Sequence, residues 1–244
     1  MKSFLPRFWK KTGVRPYCSA IIAAAGESAR MGGGNKLLLP LGEIPVLAHT
    51  LLAIDSSESI DEIIIASREA DLMTYADICK AYGIIKPCKV IVGGATRTES
   101  VLKAALEANP NARLVAVQDG ARPFVAPKLI DLAIRKATAC YAVAPAVRVH
   151  DTIKVANDNI VQTTPDRATL YAVQTPQVFD IGLLKAALQA VISDNIEVTD
   201  DCSAVERLGK EVYLIEGDEE NIKITTPLDL LIAQAILEKR RSGG

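Results

Sequence analysis

Residues 19–36 read SAIIAAAGESARMGGGNK. The first seven, Ser19–Ala25, are small or β-branched and stop at Gly26, the mark of a short strand buried on both faces. Beyond Gly26 the small residues allow a ligand to approach the backbone closely. Successive N–H groups in such a glycine-rich turn form an anion-binding concavity. Arg30 and Lys36 add fixed positive charge, one able to grip phosphate oxygens with two N–H groups and the other acting as a point charge. The spacing is neither GxGxxG nor a Walker loop, because Lys36 follows Asn35 and precedes Leu37. On composition alone the loop reads either as a phosphate cradle or as a plain connecting turn.

Outward from this stretch, strand and helix signals alternate. Pro45–Ile54 has helical spacing with proline at its first turn. Glu62–Ala66 is a β-branched strand, Ala70–Tyr82 a helix closed by Gly83, and Lys89–Val92 a strand ended by Gly93-Gly94. Thr98–Ala108 is a helix stopped by Asn109-Pro110, and Leu114–Val117 a strand running into Gln118-Asp119-Gly120. Pro127–Ala137 and Tyr141–Ala144 repeat the alternation. The pattern predicts an α/β, Rossmann-like, mostly parallel sheet with helices on both faces, whose ligand sits at the carboxyl ends of the strands. Val147–Val155 then alternates in polarity, Asn157-Asp158-Asn159 signals a turn and Ile160–Thr164 is extended again. That predicts a protruding β-hairpin arm over about 147–175, with edges that a second subunit can cover. Helices at Ile181–Ile192, Asp200–Leu208 and Pro227–Lys239 and a strand at Val212–Glu216 complete a single domain over 17–244.

Bulk properties narrow the function. The 28 basic and 29 acidic residues give a net charge of −1, which argues against a nucleic-acid binder, so charge that meets a bound anion must be concentrated locally. With two histidines, a histidine zinc site or Ser-His-Asp triad is poorly supplied. The five cysteines form no CxxC pair and read as reduced thiols of a cytoplasmic protein. Residues 1–16 form a basic, aromatic tail without the apolar segment of a secretory signal. Nothing further along reaches the length of a transmembrane helix, so no stable membrane association is expected.

Five stretches, AAAGESARMGGGNK (23–36), QDGARP (118–123), DRATLYAVQTPQVF (166–179), TDDCSAVERLG (199–209) and NIKITTPLDL (221–230), occur in one order. Together they resemble the 2-C-methyl-D-erythritol 4-phosphate cytidylyltransferase family, within the glycosyltransferase-A-like nucleotidyltransferases. The first loop marks only the superfamily. QTPQ-x-F with NIKIT narrows the resemblance to the methylerythritol and ribitol 5-phosphate cytidylyltransferases, and the ribitol enzyme is the nearest alternative. A non-catalytic nucleotide-binding protein is the more distant one.

The resemblance implies transfer of CMP from CTP to a small polyol phosphate, with Mg2+ as cofactor. It assigns Arg30 and Lys36 to charge on the α-phosphate, and Ala24, Ala25 and Gly26 to backbone contacts with the nucleotide. Gly94 and Ser100 fall where the family reads cytosine. Asp119 matches the carboxylate that meets ribose and metal, and Gly120 follows it. Arg122, Thr152, Arg167, Thr175 and Lys223 surround the sugar phosphate, Arg167 and Lys223 positioning it for attack. It also implies a homodimer that exchanges the hairpin arm, so that Thr152 and Arg167 serve the neighbour's site.

Each of these residues also has a plainer reading. Asp119 fits a turn carboxylate, Lys223 a solvated lysine, Arg167 a surface ion pair with Asp166, and Thr152 a solvent-facing hairpin position. Asp200-Asp201 read as the cap of the following helix. Leu37 and Leu38 stand where the family often has glutamine and an aromatic. The stretch between Arg30 and Lys36 is about a residue short, and Ala95 replaces an acidic residue found in some members.

Overall fold

The computed structural model describes residues 15–26 and 34–242. Arg30 and residues 1–14 of the expected tail therefore lie outside the described residues. The end of that segment is not loose: Arg15 grips Asp61 with two N–H···O contacts of 2.6 and 2.7 Å.

One eight-stranded sheet organises the chain. Its strands are β1 (Tyr17–Ala24), β4 (Glu62–Ser67), β5 (Cys88–Val92), β6 (Ala112–Asp119), β7 (Ala142–Arg148), β10 (Tyr171–Val173), β11 (Gln177–Asp180) and β12 (Tyr213–Glu216). Two small hairpins stand apart, β2 (Pro40–Leu41) with β3 (Ile44–Pro45), and β8 (Val155–Asn157) with β9 (Ile160–Thr163). The helices are α1 (Val46–Asp55), α2 (Leu72–Ala81), α3 (Arg97–Leu106), α4 (Pro127–Cys140), α5 (Ile181–Ser193), α6 (Asp201–Arg207) and α7 (Pro227–Ser242).

β1 pairs in parallel with β4 and β6, and β4 in parallel with β5, as the alternation predicts. The departure is β11, which enters antiparallel between β6 and β7. β12 pairs in parallel with β7. Burial on both faces follows the period of two. Ala20 and Ile22 of β1 join one apolar cluster with Ile63, Ile65, Ala116 and residues of α1, α2 and α4. Ile21 joins the other with Ile64, Val117 and residues of α3, α5 and α6. Truncating a fully buried isoleucine such as Ile64 removes contacts on a face that cannot collapse, at a cost of about 2–5 kcal/mol.

The hairpin is shorter than its sequence pattern. β7 ends at Arg148, residues 149–154 are irregular, and β8 starts only at Val155. Tyr171–Val173 pairs back onto β7, so that end of the 147–175 segment belongs to the main sheet. The turn itself was legible: Asp158 and Asn159 take φ of 48° and 63°, which short polar side chains tolerate. The hairpin leaves apolar side chains uncovered, with Ile160 67% and Val161 53% exposed. Among the described residues no helix is long and apolar enough to cross a membrane.

Candidate active site

Because β1, β4, β5 and β6 run in parallel, their carboxyl ends open on one side of the sheet. There they bound a cleft of about 380 Å3. Ala24, Ala25 and Gly26 form one wall after β1, and Gly94 to Arg97 form another after β5. Asp119 and Gly120 form the floor at the end of β6, and Lys36 and Lys223 reach in from elsewhere.

The first wall is braced from behind. The Asn35 side chain accepts from the Leu37 N–H at 3.0 Å, opening the short turn Lys36–Leu38, and its amide donates to the Tyr75 hydroxyl at 2.7 Å. Tyr75, fully buried on α2, donates in turn to the Ala24 carbonyl at 3.4 Å. Burial pushes its phenol up to about 12, so it stays a neutral donor. Leu37 is buried under Gly120, where an added Cβ would come within 3.3 Å of its methyl. The leucine after Lys36 is thus a packing residue of the cleft wall.

The second wall is a helix cap. Thr96 accepts from the Glu99 N–H at 3.1 Å, and Glu99 accepts from the Ala95 and Thr96 N–H groups at 2.7 and 3.4 Å, a capping box that starts α3 at Arg97. Ser100 is buried. Its hydroxyl accepts from the Gly94 N–H at 2.9 Å and donates to the Thr96 carbonyl at 2.8 Å, so it shapes the loop as well as lining the cleft. A Cβ at Gly94 would sit 2.3 Å from that of Glu99, which leaves the position to glycine.

The floor concentrates charge. Asp119 is buried, with Lys223 Nζ at 2.9 Å and Arg122 Nε at 3.4 Å from Oδ2, and Arg97 Nε at 3.8 Å from Oδ1. Burial alone would raise its pKa, but the nearby Lys223, Arg97 and Arg122 hold it below the ordinary aspartate value. Arg122 donates to the Asn221 carbonyl at 2.6 Å, and the Asn221 amide donates to the Thr175 carbonyl at 2.9 Å. Thr175 Oγ1 accepts from the Asp119 N–H at 3.1 Å. Arg122 and Thr175 thus support Asp119 from below rather than lining the cleft. Ile224 N–H, donating to the Ala121 carbonyl at 2.9 Å, docks the segment that carries Lys223 beside the floor.

Two cationic residues among those described join the cleft beyond the ones expected from the sequence. Arg68 lines it after β4 and pairs with Asp71 at 2.7 Å. Arg97 lies 2.8 Å from Asp201 and raises the cleft's positive charge. Asp200 is the expected N-cap, accepting from the Ser203 N–H at 2.9 Å. Asp201 is more than a helix-start carboxylate: it is fully buried, and burial raises its pKa against the pull of Arg97. The Thr96–Glu99 spacing signals the true helix start, and with it the place of Arg97.

Thr152 and Arg167 do not line the cleft. They border a separate surface hollow with Arg148, His150 and Asp166, where Arg167 donates to the His150 carbonyl at 2.6 Å. As for a metal, no three His, Cys, Asp or Glu side chains gather among the described residues. Asp119 lines the cleft floor, and its Oδ1, with Arg97 no nearer than 3.8 Å, is the oxygen that suits Mg2+, which takes one or two carboxylates and fills its shell with phosphate and water.

The family model for 2-C-methyl-D-erythritol 4-phosphate cytidylyltransferase matches residues 18–239. The protein of that name from Bacillus cytotoxicus is 45% identical over 223 residues, covering 91% of this chain and 98% of its own. Its namesake from Trichormus variabilis is 43% identical, covering 90% and 97%. Among solved structures, the 4-diphosphocytidyl-2C-methyl-D-erythritol synthase from Anaerococcus prevotii is similar with a TM-score of 0.82 at 33% identity, covering 91% of this chain and 99% of that one. The bifunctional IspDF from Campylobacter jejuni is similar with a TM-score of 0.72 at 31% identity, over 88% of this chain and 53% of that one.

Proposed function

The chain belongs to the 2-C-methyl-D-erythritol 4-phosphate cytidylyltransferase family, and on that premise we propose that it transfers CMP from CTP to 2-C-methyl-D-erythritol 4-phosphate. The products are 4-diphosphocytidyl-2-C-methyl-D-erythritol and pyrophosphate. The observation that carries the chemistry is the cleft at the strand ends, with Lys36 on one wall, Arg97 on another and Lys223 against Asp119 on its floor.

The attacking phosphate is already anionic, so no side-chain nucleophile or base is required. What limits the reaction is bringing two anions together in line, and the protein's task is alignment and charge stabilisation. Ala24, Ala25, Gly26 and Gly120 offer backbone to the nucleotide. The Gly94 loop, held by Ser100, is the surface for cytosine. Lys36, with Arg30 from the same loop, meets the α-phosphate, and Lys223 meets the incoming phosphate. Arg122 and Thr175 act through Asp119, which is the carboxylate that would hold Mg2+. When bound, that ion neutralises phosphate charge. A turnover screen of CTP against methylerythritol phosphate and ribitol 5-phosphate tests the substrate. Turnover of the ribitol compound alone would refute it.

The exposed apolar hairpin, and the separation of Thr152 and Arg167 from the cleft, support a homodimer in which each arm serves the other copy's site. Arg167→Ala and Lys223→Ala chains would each be inactive alone. Mixed, they form heterodimers with one intact site and recover up to about a quarter of parental activity under random exchange. No recovery after verified exchange would refute the shared site.

A further inference from the structure

Away from the cleft, the described residues bring two thiols within contact of each other. Cys79 Sγ, on α2, lies 3.4 Å from Cys88 Sγ, the first residue of β5, and the two share a hydrogen bond. Both border a groove of about 480 Å3 that also contains Lys80 and Lys86, Cys88 half-buried and Cys79 9% exposed, so the groove is the route by which a small oxidant meets the pair. The other cysteines differ. Cys18 and Cys202 are enclosed at 0% and 4% exposure with no second thiol beside them, and burial pushes both thiols up, whereas Cys79 sits at the groove edge of its apolar cluster. Cys140 has no cysteine partner. The Cys88 hydrogen bond pulls Cys79 below the ordinary thiol value, while the same bond and burial push Cys88 up, so Cys79 is the more readily ionised of the pair.

The position of the pair gives it reach. Cys79 lies one helical turn beyond Tyr75, whose hydroxyl braces Asn35 and Ala24 on the first wall of the cleft. Cys88 opens the strand that ends at Val92, immediately before Gly93-Gly94 of the second wall. A covalent tie between them links the supports of both walls.

We propose that Cys79 and Cys88 are a modification site: a dithiol that closes to an intramolecular disulfide on reaction with a hydroperoxide or a low-molecular-weight disulfide, and that weakens CTP binding when closed. With a hydroperoxide, the Cys79 sulfur attacks the outer oxygen, giving a sulfenic acid and releasing an alcohol, or water from hydrogen peroxide. The Cys88 sulfur then displaces the hydroxyl as water. The two sulfurs lose two electrons and the peroxide O–O bond gains them. With a disulfide oxidant, the mixed disulfide on Cys79 is resolved by Cys88 and two small thiols leave. Bond formation draws the sulfurs together, α2 shifts toward β5, and the Tyr75 brace moves with it. This last effect rests on the cytidylyltransferase reading; the disulfide does not.

The test is a thiol map of the full-length reduced protein treated with hydrogen peroxide or oxidised glutathione, then alkylated and digested. We expect two of the five cysteines to escape alkylation, a peptide linking Cys79 to Cys88, and reversal by dithiothreitol. Cys88→Ser should instead arrest as a glutathione adduct on Cys79. Five alkylated thiols, or a link between any other pair, would overturn the site. For the second half, KM for CTP should rise about threefold or more on oxidation, since displacements near 1 Å in a positioning shell cost up to about a hundredfold. The Cys79→Ser/Cys88→Ser protein should not respond. An unchanged KM in fully oxidised parent, or the same shift in the double variant, would overturn the coupling. A reduced parent that does not turn CTP over strikes the enzymatic reading, while the thiol map still decides the disulfide.

Discussion

Replacing Arg97 with methionine isolates the Asp201 carboxylate. Its side chain is 1% exposed, and Arg97 Nη2 at 2.8 Å is its cationic partner, whereas the Arg97 side chain is 32% exposed and also borders Asp119 at 3.8 Å. The two ends of the pair are therefore unequal. Without Arg97, Asp201 is a buried charge with no counterion, at a cost of about 3–5 kcal/mol. Without Asp201, Arg97 keeps Asp119 and a path to water, and the cost is smaller. A carboxylate left this way escapes by taking up a proton, so the penalty depends on pH. A folded pKa raised above the unfolded value of about 3.9 gives stability that is present at low pH and lost as pH rises through the folded pKa. Burial already raises the Asp201 carboxyl against the pull of Arg97, and removing that partner raises it further. Urea unfolding followed by circular dichroism at fixed protein concentration should show Arg97→Met nearly as stable as the parent near pH 4. The gap should widen as pH rises above the unfolded value and level off once Asp201 is ionised in the folded variant. Arg97→Met/Asp201→Leu should recover most of the stability, because a buried pair replaced by apolar side chains is often neutral, yet remain unable to turn CTP over. A destabilisation independent of pH, or a double variant as unstable as the sum of the singles, would refute the buried-pair argument. Restored turnover in the double variant would remove Arg97 from the site.

Lys36→Ala should lower kcat by about 10²–10³ while KM for CTP changes far less, and equal steady-state rates for variant and parent would contradict its place on the cleft wall. Thr96→Ala opens the capping box and should cost about 1 kcal/mol in chemical unfolding; because the same box shapes the Gly94–Arg97 loop, KM for CTP should rise with it. Gln118, next to Asp119 on β6, is fully buried, and neither amide atom has a hydrogen-bond partner among the described residues. Gln118→Met should therefore stabilise the fold by about 1 kcal/mol in a thermal or urea melt, and a less stable variant would mean that the amide is satisfied.

What the sequence revealed is what local chemistry decides. Ser19–Ala25 ends where β1 needs a close approach, Asn157-Asp158-Asn159 supplies the φ > 0 pair of the hairpin, and Pro127 opens α4 at a position where its missing N–H costs nothing. β11 escaped notice because it is four residues long, follows Pro176, and pairs antiparallel with strands distant in sequence, so neither period nor length marks it. The site divides in the same way. Lys36, Asp119, Lys223 and the backbone positions 24–26, 94 and 120 meet in one cleft, and their motifs carry them there. Arg97 and Asp201 become a pair only when α3 and α6 pack on the same face of the sheet, and no spacing along the chain records that.

The arrangement of charges around the cleft explains how a nearly neutral chain can present a cationic site. Three lining cations each have a carboxylate behind them: Arg68 with Asp71 at 2.7 Å, Arg97 with Asp201 at 2.8 Å and Lys223 with Asp119 at 2.9 Å. In every pair the carboxylate is the deeper partner, 11%, 1% and 9% exposed against 38%, 32% and 39% for the cation. The anions therefore fix the cations in place while the cations face the opening. A guanidinium or ammonium held in this way need not reorganise when charge builds up between two phosphates, and its field acts in a partly dry cleft where it is strongest. The same carboxylates offset the cation–cation repulsion that the cleft lining would otherwise carry. Reversing any pair, with the carboxylate outward, would keep the net charge and lose the site.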